Sequence, residues 1–109
     1  ALLDAAEQRL SLTRQRVEAA AQRVVLQASH ATSVWQRLAS VHQSMASVAR
    51  LSVKAYGLGE MTLTESLQAR RAALESSLVS DTARWDAQEA VSRVLVDAHR
   101  LWPAEEDGH

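Results

Sequence analysis

The sequence predicts an all-α fold, a long antiparallel two-helix coiled-coil hairpin, and three observations carry that expectation. Residues 1–56 and 62–102 contain no glycine and no proline, so neither segment holds a residue that breaks a helix. Both repeat apolar residues at spacings of three, four and seven. Between them lies YGLGEMTLTESL, residues 56–67, with Gly57 and Gly59, two of the chain's three glycines. At 109 residues the chain is one domain at most, rich in the Ala, Leu, Val, Gln, Glu and Arg of long helices.

The first helix is expected over 1–56. Leu3, Leu10, Val17, Val24, Ala31, Leu38 and Met45 recur every seven residues. Three positions on run Ala6, Thr13, Ala20, Gln27, Val34, Val41, Val48 and Ala55. Together they form a heptad seam that specifies lengthwise packing on another helix. Helical from Leu3 to Tyr56, the segment would measure roughly 80 Å.

The turn is expected over 57–61. Lys54 suits the negative end of the helix dipole, and Gly57 is placed for the left-handed residue that stops a helix, with Leu58 folding back on Val53. The second helix, 62–102, opens on Thr62-Leu63-Thr64-Glu65, a capping box in which Thr62 and Glu65 satisfy each other's free amides. So short a connection makes the two helices antiparallel neighbours, with partner positions summing to about 117. The second seam is expected along Leu63, Leu67, Leu74, Leu78, Trp85, Val91, Leu95 and Trp102, loosened by Asp81 and Gln88. Pro103 stops the helix and leaves 103–109 as a frayed acidic tail.

Composition excludes several functions. A net charge of −1, from twelve basic and thirteen acidic residues, disfavours a nucleic-acid or anionic-membrane surface. Without cysteine there is no thiol chemistry and no thiolate metal site. No apolar run approaches the ~18 residues of a transmembrane span. The abundant serines lack a nucleophile elbow, oxyanion loop or phosphate cradle, and the carboxylates are spread along helical faces, so no catalytic residue is assigned and an enzyme is not expected. His30, His42, His99 and His109 lack metal-ligand spacing and are expected to face solvent, and no cofactor is implied. Trp35 and Trp85 are expected to pack together across the hairpin or against a neighbour. Arg70-Arg71 reads first as a solvated pair. The start at Ala1-Leu2-Leu3-Asp4, with no cap, initiator methionine or leader, suggests a piece of a longer protein.

The run from Lys54 through Tyr56, Gly59, Thr62-Leu63, Glu65 and Leu67 to Ala69-Arg70-Arg71 resembles the periplasmic hairpin tip of the TolC-like outer-membrane efflux proteins. In general texture, though on no particular residue, the chain is similar to the heavy-metal branch of that family. The resemblance spans roughly Leu3 to Trp102, with its specific part in about eighteen residues. It implies a periplasmic location, as part of an outer-membrane export duct for drugs, metals or proteins. A periplasmic adaptor protein is implied at the tip, Tyr56, Gly57, Leu58, Gly59, Glu60, Met61 and Thr62. Like hairpins, in a homotrimer of the full-length protein, are implied as lateral neighbours, through a line of Ala21, Ala28, Trp35, Ala49 and Tyr56 and through Trp85. A whole family member has two such repeats and membrane strands, whereas this chain has one hairpin, expected to be the second. Two other readings stay open at this point. One is a freestanding coiled-coil scaffold. The other is a small periplasmic helical sensor, of metals or otherwise, whose helices break near Gln27–Ser33 and Ser76–Thr82 into a four-helix bundle.

Overall fold

The computed structural model describes residues 2–101. Two helices account for nearly all of them: α1, Leu2–Gly57, and α2, Leu63–Leu101. The fold is an all-α helical hairpin, with no strand among the described residues. Both helices continue without interruption through residues 27–33 and 76–82. The break that a four-helix bundle requires is therefore missing, because no glycine or proline there favours giving up helical hydrogen bonds. Helix α1 runs one residue further than expected, to Gly57. Trp102, Pro103 and the tail to His109 lie outside the described residues.

The backbone groups into two compact units, one of Ala31–Gln88 and the other of Ala1–His30 with Glu89–His109. In the first, the helices are antiparallel: His42 Nδ1 lies 3.1 Å from Ser76 Oγ, and Ser52 Oγ lies 3.5 Å from Ser66 Oγ. Both pairs stand one residue from the expected register.

The seam itself differs from the expected one. On α2 its covered positions are Ser66, Ala69, Ala73, Ser76, Ser80 and Ala83, continuing to Ala87 in a strict alternation of three and four. The most deeply covered are Ser66 and Ala87, each 3% exposed. On α1 the covered line is Trp35, Leu38, His42, Ala46, Ala49 and Ser52, the last 1% exposed. The leucines expected inside on α2, Leu63, Leu67, Leu74 and Leu78, are all exposed, as are Val41, Met45 and Val48 of the expected α1 seam, whereas Ala31, Val34, Leu38 and Ala55 of that seam are half-buried. Two helices joined by small side chains can approach more closely than two joined by leucines. The cost is a weak seam: each buried methylene-sized group contributes about 0.8 kcal/mol, against about 1.5–3 kcal/mol for a whole buried leucine.

Serine fits such a seam because its hydroxyl is satisfied within its own helix. Ser52 Oγ donates to the Ala49 carbonyl at 2.6 Å, and Ser76 Oγ to the Ala73 carbonyl at 2.8 Å. Each serine has one proton to give. It follows that His42 Nδ1 donates to Ser76, and Ser66 donates across the long contact to Ser52.

In the second unit, Val17, Ala20 and Ala21 of α1 line one small groove with Asp97 and Arg100 of α2. Ala28, 8% exposed, is buried there. Val24 on α1 and Ala90, Val94 and Asp97 on α2 are half-buried. From Leu2 through Ala20 every residue of α1 is exposed.

Candidate functional site: the hairpin tip

The turn is built by one glycine, and it is the second of the two. Gly59 has φ +78°, and no other described residue has positive φ. The Glu60 amide donates to the Ala55 carbonyl at 2.9 Å and the Gly59 amide to the Tyr56 carbonyl at 3.0 Å. These two bonds define a Schellman ending with Gly59 just past the cap. The Leu58 amide still makes the helical bond to the Lys54 carbonyl, at 3.1 Å, so Gly57 is the last residue of α1. The expected stop at Gly57 is corrected accordingly, and with it the contact of Leu58 on Val53, since both side chains are exposed. A glycine adopts helical φ as well as positive φ, so two glycines two residues apart do not reveal from sequence which one turns the chain.

On the far side of the turn Thr62 caps α2. Its hydroxyl accepts from the Glu65 amide at 3.2 Å, and its carbonyl accepts from the Ser66 amide at 3.0 Å. That is the hydroxyl half of the expected capping box. The Glu65 carboxylate also sits in the first turn of α2 and Lys54 in the last turn of α1, each at the helix end whose partial charge it offsets.

The structure brings all seven tip residues together on and beside the turn. Gly57, Gly59, Glu60 and Thr62 are exposed, Tyr56 is exposed on the last helical turn, and Met61 is half-buried. Leu58, 67% exposed, stands outward between the glycines. An added Cβ would meet nothing within 4 Å at either glycine, so the tip end is open to an approaching surface. What it offers is an apolar side chain, a carboxylate at Glu60, and backbone uncovered by side chains.

The other assigned residues are placed differently. Of those expected to meet a neighbouring hairpin, Ala28 is buried and Trp35 and Ala49 are half-buried within this chain, whereas Trp85 is 71% exposed. Most of the line expected to face outward is thus covered within this chain, with Tyr56 the exposed member, and the two tryptophans do not share one environment. His42 is half-buried in the seam and bonded to Ser76, a correction to its expected solvent exposure. His30 and His99 are exposed, and His109 lies outside the described residues. Arg71 Nε pairs with Glu75 Oε1 at 3.0 Å along its own helix, which occupies one half of the Arg70-Arg71 pair. Among the described residues no group of three or more potential ligands is placed to hold a metal ion, and no helix is long and apolar enough to cross a membrane. Compared with known protein families, curated proteins and solved structures, this chain matches none of them.

Proposed function

We propose that this chain is a periplasmic helical hairpin of an outer-membrane efflux duct, and that its tip docks a periplasmic adaptor protein of a tripartite export pump. The duct is assembled from like hairpins, as a homotrimer of the full-length protein. The tip motif that resembles the TolC-like family is the first support. The single observation that favours this reading over a freestanding scaffold is the inversion of the seam. Alanine and serine are spent between the two helices while leucines and Trp85 are turned outward. A two-helix rod acting alone gains most by burying its largest apolar side chains between its helices. A stave needs them on the outside, where other staves cover them.

At the tip, Leu58 supplies a small apolar anchor, Glu60 a polar rim, and the two glycines a narrow backbone end that a partner's helix tips can approach. The test is Leu58→Asp in the full-length protein, alone and with Gly59→Trp. Lost export and weakened cross-linking to the adaptor are expected, with assembly in the outer membrane retained. Unchanged export with both substitutions would leave the turn a corner with no docking role.

A further inference from the structure

The two helices of the Ala31–Gln88 unit turn unlike backs to solvent. A step of two residues turns a helix by about 200°, so residues two positions from the covered lines mark the outer sides. On α2 these are Leu67, Arg71, Leu74, Leu78, Asp81 and Trp85, all exposed. On α1 they are Arg37, Ser40, Ser44, Ser47 and Leu51, also exposed. Both lines alternate at three and four, the spacing of a coiled-coil seam. One back is a ridge of large apolar side chains, and the other is a row of serines between an arginine and a leucine.

The register within the hairpin fixes the levels of these residues. His42 stands level with Ser76 and Ser52 with Ser66, so positions at one height add to 118. Asp81 is then level with Arg37, Leu78 with Ser40, Leu74 with Ser44 and Leu67 with Leu51. Lying on opposite outer sides of one hairpin, these pairs cannot meet within it. A second copy standing parallel at the same height brings them together, the back of its α1 against the α2 back of the first. Cyclic closure imposes that common height, because a head-to-tail contact forms a ring only without a rise from copy to copy. Leu74 and Leu78 then each face a serine small enough to receive them. Asp81 faces Arg37, which apart from histidines is the one charged residue between Val24 and Ala49. Neither Arg37 nor Asp81 has an ion pair or hydrogen bond among the described residues.

Other pairings of copies fit less well. Two α1 backs would bury mostly serine, and two parallel α2 backs would set Asp81 on Asp81 and Arg71 on Arg71. An antiparallel pair of α2 backs matches Leu74 with Leu78 and Arg71 with Asp81, but Arg71 is already held by Glu75 at 3.0 Å. Its flanking positions would also set Arg70 beside Arg84 twice and Glu75 beside its own copy. The head-to-tail contact has one like-charged flank, Arg50 beside Arg70. We infer that a second copy of this chain covers the α2 back, head to tail and at the same height, through an α1 back whose Arg37 meets Asp81. The contact rests on the side-by-side assembly of hairpins and supplies its residues.

The chain has no cysteine, so introduced thiols report this contact alone. An equimolar mixture of full chains carrying Ser40→Cys and Leu78→Cys, mildly oxidised, is expected to give disulfide-linked pairs of one of each. A mixture of Leu74→Cys with Leu78→Cys, the positions an antiparallel pair would join, is expected to give at least about tenfold less. Arg37→Asp and Asp81→Arg, each introduced alone into both chains, are expected to weaken the 40–78 link and self-association in sedimentation by about tenfold. Combined, they are expected to restore both, a rescue that a loss of folding would not produce. Leu58→Asp, which tests docking at the tip, is expected to leave the link unchanged. Self-association that links 74 to 78 instead, or that ignores the charge exchanges, would overturn the assigned contact and leave side-by-side assembly standing. A monomer at millimolar concentration would remove both.

Discussion

The two units of this chain use helix in opposite ways. In Ala31–Gln88 the helices meet along an unbroken line of small residues and bury Ser52, Ser66, Ser80, Ala83 and Ala87. In the unit of Ala1–His30 with Glu89–His109, Ala28 is the buried residue among those described, and the first nineteen described positions of α1 are all exposed. The same helix, α1, runs through both. Propensity for helix is therefore not what distinguishes them; the supply of a partner is. Helical stability in proteins comes mainly from the packed face, so one continuous helix is expected to be firm where that face is covered and soft where it is not.

Substitutions at one covered and one exposed position break this contrast most directly. Ala83→Leu forces a large side chain into the small-residue seam and is expected to destabilise the protein by about 1–3 kcal/mol. Leu10→Ala removes a larger group from an exposed face and is expected to change stability by no more than about 0.5 kcal/mol. Urea unfolding of both variants makes the comparison, and equal effects would remove the distinction between the units. Hydrogen exchange sharpens it further: amides around Ala46 and Ala83 are expected to exchange far more slowly than those around Leu10.

The two glycines offer a smaller contrast inside the tip. At Gly59 the backbone is left-handed, so Gly59→Ala is expected to cost about 1–2 kcal/mol even though its Cβ meets open space. At Gly57 the backbone is helical and the space equally open, so Gly57→Ala is expected to stabilise by about 0.5–1 kcal/mol. Melting temperatures that move in the same direction for both would contradict the assignment of the turn. Thr62→Ala, which removes the hydroxyl that accepts from the Glu65 amide, is expected to cost about 1 kcal/mol. A loss well below that would make the cap incidental, with the helix start fixed by packing.

Much of this architecture was legible in the residues. The absence of helix breakers gave two long helices, and Thr62 with Glu65 marked the start of the second. The short connection gave a register one residue from that of His42 with Ser76. What the heptads concealed was which face meets which partner. A seven-residue repeat shows that a line is destined for burial, but not whether the hairpin's own second helix or another molecule covers it. The larger residues were therefore assigned to the inside. A signal was present in α2, where Ser66, Ala69, Ala73, Ser76, Ser80, Ala83 and Ala87 alternate at three and four without exception. That line is more regular than the leucine line beside it, which Asp81 and Gln88 interrupt. Regularity was the better guide, and size misled. His42 was misplaced for the same reason, since it stands on the small-residue line, where its Nδ1 proton finds Ser76.

The hydroxyls of the seam have a mechanical consequence. Ser52 and Ser76 donate to carbonyls of their own helices, so they anchor little across the gap. The facing surfaces there are shallow corrugations of methyl and hydroxyl groups repeating every three or four residues. Such a surface looks nearly the same after one helix slides a turn along the other, unlike interlocked leucines, which must be withdrawn first. The His42–Ser76 bond, the longer Ser66–Ser52 contact and the five-residue connection oppose that shear. The turn at Gly59 therefore acts as a tether that sets the phase of two otherwise slippery rails, and lengthening it by a flexible insertion should show up as a spread of spacings between spin labels on the two helices.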